Sequence, residues 1–187
     1  VIELKKLRRG LLIGRFQPIH KGHVEAIKNL MEKVDELVII IGSSQLSHDL
    51  GNPFTTGERV WMVKSALNEA EVDPSKYLIL PVPDAAMHSV WVAKVISYSP
   101  PFDVVFSNDT LTRRLFEEAD VDVEEIRFFQ RKIYSATEVR RRMLAGENWK
   151  KLLPKSVVKI INEVEGVRRL RELAATDSPF GRKRSVS

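Results

Sequence analysis

Residues 36–42 read Glu-Leu-Val-Ile-Ile-Ile-Gly, and nothing polar interrupts the stretch from Leu37 to Ile41. A strand with one wet face would alternate apolar and polar residues. A continuous run needs cover on both faces, as a strand inside a parallel sheet has. Apolar runs at 10–14, 77–82 and 103–107, with a weaker one at 125–129, read as further strands. Helical patterns intervene at about 20–34, 55–70, 88–98 and 109–118. This alternation predicts an α/β fold built on a doubly wound parallel sheet. After residue 130 the pattern is helical only. Ser135 or Thr137 can cap a helix to about 145 that Gly146 ends, Pro154 starts another, and a short terminal helix follows Gly166. The organisation expected is a basic segment at 1–9, one domain over 10–174 with a C-terminal helical segment, and a disordered tail at 175–187.

The 187 residues include no cysteine, which excludes disulfides, thiolate metal sites and a cysteine nucleophile. No apolar run approaches the ~20 residues of a membrane helix, so a cytoplasmic protein without membrane partners is expected. Net charge is +5, and much of the excess sits at Lys5, Lys6, Arg8, Arg9, Arg182, Lys183 and Arg184. Such ends read as solvated tails rather than nucleic-acid arms. Trp61 and Trp149 read as packing.

Four segments carry chemistry. The first, Gly14-Arg15-Phe16-Gln17-Pro18-Ile19-His20-Lys21-Gly22-His23, leaves a strand and opens a helix. Backbone N–H groups and the positive helix end converge there, and two imidazoles three apart can add donors to an anion. No third metal ligand accompanies them, so no protein metal site is expected. The second, Tyr134-Ser135-Ala136-Thr137-Glu138-Val139-Arg140, offers hydroxyls and free N–H groups at another helix start, with a fixed cation one turn in. Read as structure alone, Ser135 and Glu138 make a capping box. Third are Gly42-Ser43-Ser44-Gln45 and the later Glu58-Arg59, the latter pair either an internal ion pair or ligand contacts. Fourth is Asp84 to Trp91, where Trp91, at a loop–helix junction, reads either as core or as a face that can stack on a cationic ring. Asp103 and Asn108-Asp109, at the ends of the fourth strand, are further candidates for ligand contacts.

The first segment resembles the HxGH signature of the nucleotidyltransferases, and its Phe-Gln-Pro extension is similar to the archaeal-type nicotinamide mononucleotide adenylyltransferases. The second resembles their Ser-x-Thr-x-x-Arg element, and the resemblance runs in the same order from about residue 10 to 167. It implies a Rossmann-like fold and transfer of AMP from ATP to nicotinamide mononucleotide, giving NAD and pyrophosphate. It makes His20, His23 and Arg140 catalytic, and gives ATP binding to Gly14, Arg15, Phe16, Gln17, His20, His23, Tyr134, Ser135, Thr137 and Arg140. Mononucleotide binding falls to Arg15, Ser43, Asp84, His88 and Trp91. Mg²⁺ travels with the ATP phosphates, and a hexameric homo-oligomer is implied. His88 stands where relatives carry Asn, and Gly51 where one carries Arg. The alternatives are another phosphorylated acceptor (nicotinic acid mononucleotide, a flavin or pantetheine phosphate) or, in another class, a nucleotide sensor or nucleic-acid-binding module.

Overall fold

The computed structural model describes residues 7–127 and 133–176. Strands β1 (Arg9–Gly14), β2 (Glu36–Ile41), β3 (Tyr77–Pro81), β4 (Val104–Phe106) and β5 (Val123–Glu124) form one parallel sheet in the order β3-β2-β1-β4-β5. In the register, Leu12 lies beside Ile39 on one side and Phe106 on the other. Helices α1 (Lys21–Met31), α2 (Thr56–Glu69), α3 (Trp91–Tyr98), α4 (Thr110–Glu117), α5 (Ala136–Ala145), α6 (Lys155–Glu163) and α7 (Gly166–Thr176) cover it.

The uninterrupted β2 run has the double cover its composition demands. Leu37, Ile39 and Ile41 pack with Ile27 of α1, Met62 of α2 and the C-terminal helices, while Val38 and Ile40 pack with Val95 of α3 and Phe116 of α4. All five are fully buried, each side chain contributing roughly 1.5–3 kcal/mol. Helices α5–α7 join the α1/α2 face through Val139, Met143, Ile161 and Leu170. Two polar ties fix them. The Glu69 carboxylate accepts from the Lys155 and Ser156 N–H groups that open α6, and Glu58 of α2 forks onto Arg169 of α7 at 2.7 and 2.8 Å.

Some expectations change. The fifth strand is Val123–Glu124 rather than 125–129, because the Asn108 side chain takes both backbone groups of Ile126 (2.7 and 2.8 Å) out of the ladder; residues 128 and 129 lie outside the described residues. Residues 88–90 form a 3-10 turn, so α3 starts only at Trp91. Arg8 and Arg9 are not a loose basic end: they pair with Glu124 at 3.0 Å and Glu36 at 2.6 Å. Lys5, Lys6, Arg182, Lys183, Arg184 and most of the expected tail lie outside the described residues. Trp149 is buried as expected, but Trp61 is exposed on α2. Among the described residues no helix is long and apolar enough to cross a membrane.

Candidate active site

His20 ends the loop after β1 and is the N-cap of α1 rather than part of its first turn. Its Nδ1 accepts the His23 backbone N–H at 3.2 Å, and the His23 Nδ1 accepts the His20 N–H at 3.4 Å. The arrangement is a capping box made from imidazoles, with the two rings stacked at a 3.6 Å centroid separation. The Phe16 ring meets His23 edge-on at 5.0 Å. Burial pushes the His20 pKa down to about 4, and burial together with His20 holds His23 well below the usual imidazole range. Both rings are therefore neutral at pH 7. Since each Nδ1 is an acceptor, the remaining proton sits on each Nε2. The cap thus fixes a pair of neutral donors.

Ser135 caps α5 by accepting the Glu138 N–H at 3.1 Å. The box expected there is only half made, because the Glu138 carboxylate pairs with Arg141 and Arg142 instead, which hold it down to about 2. Arg140 turns the other way and donates from Nη1 to the Gln17 carbonyl at 2.7 Å. Gly22 allows this approach: a Cβ there would lie 2.8 Å from the Cβ of Tyr134. The two segments so joined enclose a cavity of about 240 Å³, walled by Arg15, Phe16, Gln17, His20 and His23 on one side and Tyr134 to Thr137 with Arg140 on the other. Burial and the neighbouring Arg15 lower the Arg140 pKa, and Asp49 partly offsets them. Two guanidiniums and the N-termini of α1 and α5 around one cavity suit a polyanion.

Two of the expected ATP residues make packing or clamping contacts as well. The buried Gln17 amide is occupied by both backbone groups of Phe54 (2.9 and 3.0 Å), so only its carbonyl, held by Arg140, belongs to the cavity wall. The missing Cβ of Gly14 makes room for the Phe16 ring 2.8 Å away, and Gly14 borders a separate space of about 60 Å³. Asp103 precedes β4, where its carboxylate accepts the Arg9 N–H, at the sheet edge away from the cavity. Asn108 is spent on Ile126 and Asp109 caps α4.

Asp84, His88 and Trp91 line a second hollow of about 370 Å³, whose other wall is Leu111, Thr112 and Leu115 of α4. Ser43 reaches it through Asp84: its Oγ donates to Asp84 Oδ1 at 3.0 Å. Gln45 holds the same residue twice, donating to Oδ2 and accepting the Asp84 N–H, each at 2.9 Å. Sequence reasoning placed Gln45 in a chemistry-bearing segment without seeing its hold on Asp84, and missed the α4 wall and the role of Arg59. Glu58 and Arg59 do not pair, since neighbours on a helix point apart. Arg59 is instead buried against backbone carbonyls.

Residues 11–142 match the family described as cytidylyltransferase-like. The chain is 47% identical over 174 residues to the nicotinamide-nucleotide adenylyltransferase of Methanolobus tindarius, covering 93% of this chain and 99% of that one. It is 51% identical over 166 residues to the enzyme of the same name from Pyrococcus horikoshii, covering 89% of each. Among solved structures it is similar to a bifunctional NMN adenylyltransferase/ADP ribose pyrophosphatase from Francisella tularensis, complexed with AMP and a manganese ion. The TM-score there is 0.72 at 22% identity, over 89% of this chain and 52% of that one. The chain thus spans about half of that bifunctional protein, and the likeness is one of fold.

Proposed function

The chain belongs to the cytidylyltransferase-like family, among its nicotinamide-nucleotide adenylyltransferases, and from that premise we infer that it transfers AMP from ATP to nicotinamide mononucleotide, giving NAD and pyrophosphate. The observation that carries the reading of the site is the Arg140–Gln17 bond, which joins segments 123 residues apart around one cationic cavity. In this reading the triphosphate lies there. A phosphate oxygen of the mononucleotide attacks the α-phosphorus in line, and the bond from that phosphorus to the β-bridging oxygen breaks. The attacking phosphate is already anionic, so no general base is required.

His20 and His23, through their Nε2–H groups, and Arg140 stabilise charge as it grows on the transferring and departing phosphates. Arg15, Phe16, Tyr134, Ser135 and Thr137 complete the ATP side. Gly14 and the Gln17 side chain act through packing. Ser43 and Arg15 take the mononucleotide phosphate, and Asp84, His88 and Trp91 take its base, with the indole stacked on the pyridinium. Mg²⁺ enters as part of the ATP substrate. Such an ion keeps several waters and needs few protein ligands.

We also read residues 10–174 as one domain, supported by the apolar cluster that α5–α7 share with α1 and α2. A cytoplasmic homo-oligomer, hexameric by family resemblance, belongs to the same reading. Nucleic acid is not among the proposed partners, since Arg8, Arg9, Arg141 and Arg142 are engaged by carboxylates. The test is pyrophosphate release from ATP with nicotinamide mononucleotide, nicotinic acid mononucleotide, flavin mononucleotide and phosphopantetheine supplied in turn. Release with the nicotinamide acceptor is expected; release only with the flavin or pantetheine acceptor would overturn the reading.

A further inference from the structure

We infer that Arg59 is a positioning residue for the acceptor phosphate, a buried cation that fixes the turns leaving β1 and β2 and faces them with a charge only partly offset. The inference rests on the reading that this phosphate lies at Arg15 and Ser43. Arg59 is fully buried on α2. Nη1 donates to the carbonyls of Arg15 (3.0 Å) and Gly42 (2.9 Å), and Nη2 to the Ser43 carbonyl and Thr56 Oγ1, each at 3.1 Å. One planar group therefore spans the exits of two adjacent strands, a geometry that a lysine cannot copy. Both turns carry a non-glycine residue in the left-handed region, Phe16 at φ 49° and Ser43 at φ 47°. Such backbone persists only where the surroundings hold it.

The partners of these bonds are uncharged oxygens, and among the described residues Nε has no hydrogen-bond partner. Burial and the nearby Arg15 lower the Arg59 pKa, while Asp84 opposes them. For packing alone an apolar side chain of similar volume would serve better, because a buried cation that no carboxylate contacts directly is costly. An anion in front of the two turns removes that cost, and the turns already present Arg15 and Ser43 to it. Arg59 thus gives the crevice both its shape and its charge before substrate arrives.

Steady-state kinetics of Arg59→Met, Arg59→Lys and Ser43→Ala test this. Arg59→Met should raise the mononucleotide KM by about 10- to 100-fold, with the ATP KM changed less than about three-fold. Arg59→Lys should recover part of the loss, because it restores the charge without the fork. A similar rise in both KM values, or a fall in kcat at unchanged KM, would overturn the inference and reduce Arg59 to a structural residue. Ser43→Ala separates the two levels. If it raises the mononucleotide KM while Arg59→Met acts unselectively, the phosphate reading stands and the inference falls. If Arg59→Met is selective and Ser43→Ala is silent, Arg59 keeps its role and Ser43 leaves the phosphate site. Should Arg59→Met not fold, Thr56→Ala removes one acceptor and keeps the cation, and the same criterion applies at about three-fold amplitude.

Discussion

The two hollows at the carboxyl edge of the sheet are built differently. The cavity proposed for the triphosphate is made of helix caps: its histidines cap α1, its serine caps α5, and Gly22 lets the two meet almost backbone to backbone. The acceptor hollow hangs on side chains. Asp84 and His88 are exposed, α3 begins without a side-chain cap, and Ser43 and Gln45 hold the wall by hydrogen bonds alone. The contrast assigns labour. In the proposed reading, the histidines that meet developing charge are locked by the same bonds that start α1, so they need no reorganisation during reaction, and the groups that select the acceptor are not. Groups that choose the acceptor sit on a wall whose side chains can change without unmaking a helix.

The sharpest way to break this division is His20→Asn. Asparagine caps a helix as well as any residue, so the melting temperature should hold while kcat falls by ~10²–10³. A loss mainly in KM would deny the histidine its part in the reaction. Acidification separates the regions by stability. The unfolded imidazole protonates near 6.5 and the folded His20 only at about 4, so stability present above 6.5 is lost as pH falls between these values. For His20 this is on the order of 3 kcal/mol over that interval, read from unfolding free energy measured against pH, and His20→Asn should reduce the dependence to the part that His23 contributes. Trp91→Ala should raise the mononucleotide KM by about 10-fold and spare the ATP KM. An equal loss for both substrates would join the two hollows into one. The smallest effect expected is from His88→Asn, about a three-fold change in preference between nicotinamide and nicotinic acid mononucleotide. An unchanged ratio would mean that this side chain does not read the amide.

What the sequence made legible was local. The β2 run, the helix starts at His20, Thr55 and Ser135, and the stop at Gly146 all depend on neighbours within a few residues. The pairing of the two phosphate segments was legible through resemblance, and Arg140 then supplied the bond. The clamps were not legible. Gln17 on Phe54, Gln45 on Asp84 and Asn108 on Ile126 each tie one loop to a remote backbone, 37, 39 and 18 residues away. A side-chain amide has no preferred sequence distance, so no periodicity announces such a bond. The same holds for Glu58, whose partner lies 111 residues downstream. Trp61 misled for a different reason: a large apolar residue in a helical pattern suggests core, yet this one sits on the outer side of α2.

The close approach of Gly22 to Tyr134 also bears on how the molecule becomes active. Strands β1 and β2 and the helix between them are contiguous in sequence and can assemble early, but half of the cavity's lining arrives only when α5 docks. Long loops close late, because their entropy must be spent before any contact rewards it. During refolding, circular dichroism should therefore recover ahead of enzyme turnover. Regained activity in this chain is a clock for docking of its final third.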